Sequence, residues 1–81
     1  MTIHSYYFTF GTDERFPYQT GYVIIDAPNE RCARDIFRMF WPDRHENCLN
    51  CAFVYEEDEF MRSICAKEPC HAQIRFTETE A

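Results

Sequence analysis

The chain has 81 residues, 46% of them hydrophobic and 17% aromatic, and a formal net charge of −6. That length holds one small domain without a second core, and it buries only about 60–65% of the unfolded chain's surface. Eight Phe, five Tyr and one Trp supply the large apolar bodies of a folded globule rather than a disordered segment. With 14 acidic against 8 basic residues, the chain is expected to avoid phosphate backbones and anionic membrane surfaces.

In chain order, Ile3 to Phe10 predicts a first strand, with Tyr6, Phe8 and Phe10 facing one way and Tyr7 and Thr9 the other. Gly11, Thr12-Asp13-Glu14-Arg15 and Pro17 form a loop, and Gly21 opens a β-branched second strand, Tyr22 to Ile25. These two strands are expected to pair as a hairpin with a long connection.

Pro28 and Asn29 then open a helix whose apolar stripe is Ala33, Ile36, Phe37, Phe40 and Trp41, with Pro42 ending it. Its charged side carries Glu30–Arg34 and Arg31–Asp35 at i,i+4 spacing. The interleaved signs read as a solvated face rather than a basic binding ridge.

Cys51 to Tyr55 predicts a third strand, and the acids Glu56 to Glu59 cap a second helix bearing Phe60, Met61, Ile64 and Cys65. Ala72 to Thr77 alternates as a last strand, and Glu78 to Ala81 reads as a frayed tail. The order β-β-α-β-α-β predicts an α+β domain with a three- or four-stranded sheet and one or two helices packed on one face. The second strand, first helix and third strand are the parts of a parallel crossover.

Six potential ligands crowd the second half: His45, Cys48, Cys51, Cys65, Cys70 and His71. The spacing Cys48-x-x-Cys51 suits two thiolates on one tetrahedral zinc. Ala52 stands where a zinc knuckle has glycine, and Cys65-x4-Cys70-His71 lacks a paired spacing. Cys51 and Cys65 fall on expected core faces, where free cysteine packs as a small hydrophobe. The loop residues His45, Cys48, Cys70 and His71 are therefore the zinc candidates, if zinc is held.

A thiol catalyst would pair Cys51 or Cys70 with His71 or His45, but no glycine-rich loop, phosphate loop or nucleophile elbow accompanies them. Five cysteines is an odd number, which favours free thiols and a reducing, cytoplasmic setting. No basic n-region with an apolar core opens the chain.

The pattern Tyr7-Phe8-Thr9-Phe10-Gly11, Gly21-Tyr22-Val23-Ile24 and Asn50-Cys51-Ala52-Phe53-Val54-Tyr55, with Ala27, Ala33, Phe37 and Phe60, resembles a group of small uncharacterised proteins. These are carried by phages, prophages and mobile elements of Gram-positive and gut bacteria. The resemblance spans roughly residues 6 to 62 and implies a compact α/β domain borne by mobile DNA, without an established activity.

The expectation is a non-catalytic protein-interaction module, an accessory or counter-defence factor that binds a host protein. Phe16 and Tyr18 in the loop are candidate exposed anchors, because aromatics dominate protein hot spots; the alternative is that they fold back over the core. The competing readings are a small zinc-stabilised domain and, more remotely, a cysteine-dependent enzyme.

Overall fold

A computed structural model describes residues 2–44 and 48–76, apart from the side chains of Ile64 and Cys65. His45 and the expected tail from Glu78 lie outside the described residues. The elements run β1 (His4–Thr9), β2 (Tyr22–Ala27), α1 (Glu30–Phe40), β3 (Phe53–Glu56), α2 (Glu57–Met61) and β4 (Cys70–Arg75), with a 3-10 turn over Ile64–Lys67.

The four strands lie in the order β3-β1-β2-β4. β1 is antiparallel to both β2 and β3, and β4 is parallel to β2. The expected α+β domain therefore forms. β2 and β3 run in the same direction, but β1 lies between them, so α1 bridges strands that are not neighbours.

The alternation of β1 places Phe8 and Val23 on one face, opposite each other, and Tyr7 and Ile24 on the other. α1 covers the first face. It begins where Asn29 Oδ1 accepts the Cys32 N–H at 2.8 Å, a cap worth about 1 kcal/mol. Ala33 and Phe37 are fully buried, and Phe37 stacks on Phe8 with centroids 4.6 Å apart.

Trp41, just past the helix, packs on Phe37 at 5.0 Å. Phe40 departs from the expected buried stripe and is 57% exposed. It faces the side of α1 where only the edge strand β4 continues the sheet, so little lies beneath it. On the solvated side, Arg34 Nε donates to Glu30 at 2.7 Å. Asp35 is met by Arg38 at 3.9 Å rather than by Arg31, and Arg38 Nε also reaches Asp43 at 3.0 Å.

α2 lies on the opposite face, where Phe60 is buried, stacked on Tyr7 at 4.1 Å and in contact with Tyr22 at 4.6 Å. The helix ends at Met61, short of the predicted span. Ser63 turns back on Phe60, with its N–H at 3.0 Å and its Oγ at 2.8 Å from the Phe60 carbonyl. Such local bonds compete with helix continuation.

The same face holds Asp26, 3% exposed. It accepts from Ser5 Oγ at 2.6 Å and Gln73 Nε2 at 3.2 Å, and Arg75 Nε lies 3.6 Å away. A carboxylate this deep needs such partners to offset its lost hydration.

Candidate functional site

The loop between β1 and β2 is closed at its base by Thr20 N–H to Gly11 O at 3.0 Å and Phe10 N–H to Gly21 O at 3.1 Å. Thr20 and Gly21 both turn with positive φ, 60° and 85°, a conformation that glycine adopts without steric cost. A Cβ on Gly21 would also lie 2.7 Å from the Pro69 carbonyl oxygen and collide with the His71 ring.

His71 is why that space is full. In the β2–β4 register Tyr22 faces Cys70 and Val23 faces Ala72, so His71 is an extra residue, a bulge that re-aims its side chain. Its ring stacks on Tyr18 at 4.1 Å, and Nε2 lies 2.9 Å from the Thr20 carbonyl oxygen. A carbonyl can only accept, so Nε2 carries the proton and donates.

Phe16 and Tyr18 take the covering alternative. Both are half-buried and pack against the core, each in edge contact with Phe10. The Arg44 guanidinium sits 5.0 Å over the Phe16 ring. Asp13, which accepts from Arg15 at 2.8 Å and is held down to about 2 by that guanidinium, fixes the outer part of the loop.

Of the zinc candidates, the described three, Cys48, Cys70 and His71, are not brought together. Cys48 lines a cavity with Phe53 and Val54 of β3, at one edge of the sheet, whereas Cys70 and His71 belong to β4 at the other. Cys70 Sγ is exposed and rests 3.5 Å from the Ala72 carbonyl. With Nε2 engaged, His71 has only Nδ1 left to ligate. Among the described residues no three His, Cys, Asp or Glu side chains converge as a metal site.

Cys51 precedes β3 rather than entering it, in a bend over 50–52. It packs against the core, and burial pushes its thiol up to about 12, with Arg34 acting in the opposite direction. Cys48, Cys51 and Arg34 line the same cavity of about 370 Å³. Between the two cysteines, Asn50 Oδ1 is buried without a hydrogen-bond partner among the described residues.

The most apolar concavity, about 460 Å³, runs between α1 and β4 and is lined by Cys32, Ile36, Met39, Phe40, Ile74 and Phe76. Met39 is 77% exposed there. Asp35 and Arg75 flank it. Sequence reasoning missed this groove. The available signal was Met39-Phe40-Trp41, three consecutive apolar residues that make the helix stripe wider than one face can bury.

The chain matches no protein family, no curated protein and no solved structure. Among the described residues, no helix is long and apolar enough to cross a membrane.

Proposed function

We propose that the protein is a non-catalytic interaction module that binds an extended apolar segment of a partner protein in the groove between α1 and β4. The observation that carries this reading is the pairing of that groove, with Met39 and Phe40 77% and 57% exposed, with an edge strand. Among the described residues β4 pairs only with β2, so its outer backbone groups can receive an added strand. Side chains at alternate positions of that strand then point into the groove, while Asp35 and Arg75 offer one charge of each sign at its rim. A mobile-element accessory or counter-defence role, implied by the resemblance, is the setting this reading supplies for such a module.

The test uses folded protein as bait in a bacterial lysate, comparing the native chain with Met39→Glu and with Glu59→Lys on α2. A partner held by the native chain and by Glu59→Lys, lost about tenfold or more with Met39→Glu, and protecting β4 amides from exchange supports the module. Capture indifferent to Met39→Glu overturns it. So does a concentration-dependent dimer abolished by Met39→Glu, which would make a second copy the occupant.

A further inference from the structure

We infer that Cys48 and Cys51 form a redox-active dithiol that low-molecular-mass disulfides convert to an intramolecular disulfide, independently of the partner-binding groove. Two residues separate the cysteines, the backbone bends over 50–52, and both line one cavity. Their environments differ as the two partners of such a pair require. Cys48 is exposed and can meet a disulfide from solution, while Cys51 is half-buried behind it. Arg34, ion-paired with Glu30, lines the same cavity and acts on Cys51 against the effect of burial. Burial keeps Cys51 a thiol until an adjacent mixed disulfide gives it a target.

Asn50 supplies an independent observation. Its Oδ1 is buried and unpartnered among the described residues while the cysteines are reduced. A buried acceptor without a donor is costly and uncommon in a native fold. Asn50 lies inside the short loop that a Cys48–Cys51 bond would close, so closure is expected to move its side chain.

The chemistry balances. Cys48, having lost its proton to solvent, attacks one sulfur of the small disulfide. That S–S bond breaks, and one thiolate leaves and is protonated. Cys51 then loses its proton and attacks Cys48 Sγ, releasing the second small thiol. The protein loses two electrons and two protons, and the small disulfide gains both.

Oxidised glutathione at neutral pH is the probe, with intact-mass and peptide mass spectrometry of the full chain. The native chain is expected to lose two hydrogens and retain no glutathione on Cys48 or Cys51, with the bond mapped to Cys48–Cys51. Cys51→Ser is expected to trap one glutathione on Cys48, because no second thiol remains beside it to release the small thiol. Cys48→Ser should yield neither product. Stable glutathione on Cys48 of the native chain, or a bond from Cys48 to another cysteine, would each overturn the inference.

Discussion

The two faces of the sheet solve the same burial problem by different means. Under α1, Phe8, Val23, Ile25, Ala33 and Phe37 are all fully buried, and the fit is between apolar shapes. On the other face, among the described residues, Phe60 lies over Tyr7 and Tyr22, and the polar cluster around Asp26 stands on the same face. An 11-residue helix can present a stripe to a sheet, whereas the five residues of α2 present one ring. The first face therefore depends on volume, and the second on one ring and a satisfied carboxylate.

The largest test of that contrast is truncation of the central ring on each side. Phe37→Ala should cost about 3–5 kcal/mol, because Phe8, Phe10 and Trp41 cannot all collapse into the cavity. Phe60→Ala should cost less, about 2–3 kcal/mol, since a short helix can settle onto the tyrosines. Equal losses in urea unfolding would break the comparison.

Next comes Asp26→Ala, predicted to cost about 1–3 kcal/mol by leaving Ser5 and Gln73 without their acceptor. A neutral result in the same assay would mean that the second face is held by Phe60 alone.

The smallest effect is a pH dependence that both faces share. Burial raises the Cys51 thiol from its ordinary 9.0 to about 12, so the folded chain holds this proton more tightly than the unfolded chain does. The contribution is fully present below pH 9 and is lost as pH rises toward 12. Tyr6 on the α1 face and Tyr7 on the other are also raised, first by burial and then by nearby Glu56 and Glu57 respectively. Melting temperature should fall through this alkaline window, and Cys51→Ala should flatten its beginning. An unchanged profile in Cys51→Ala would assign the slope to the tyrosines of the two faces.

These contrasts were unequally legible in the chain. The alternation in Tyr6 to Phe10 and the spacing of Ala33 and Phe37 announced the α1 face, because a period of two or of 3.6 carries over directly into burial. Asp26 carried no such signal. A single acid at the end of a β-branched run reads as a strand terminus until the partners Ser5 and Gln73, 21 residues before and 47 after it, are placed beside it. Phe16 and Tyr18 were ambiguous for a related reason: whether a loop aromatic points inward depends on Phe10 and on His71, whose bulge no local pattern marks. Among the described residues, topology parts Cys48 and Cys51 from Cys70 and His71, since β3 and β4 lie at opposite edges of the sheet.

The latch at Thr20 and Gly21 also sets an order of events during synthesis. Gly21 N–H donates to Glu68, the next residue's N–H (Tyr22) to the Pro69 carbonyl, and the His71 contact with Thr20 closes across 51 residues. At a ribosomal pace of about 5–20 residues per second, those partners follow the turn by roughly 3–10 s. Through that interval β1 and β2 can meet, but the turn that joins them lacks the contacts that hold its left-handed residues. The first hairpin of this protein is thus completed only by residues made up to 51 positions after its turn.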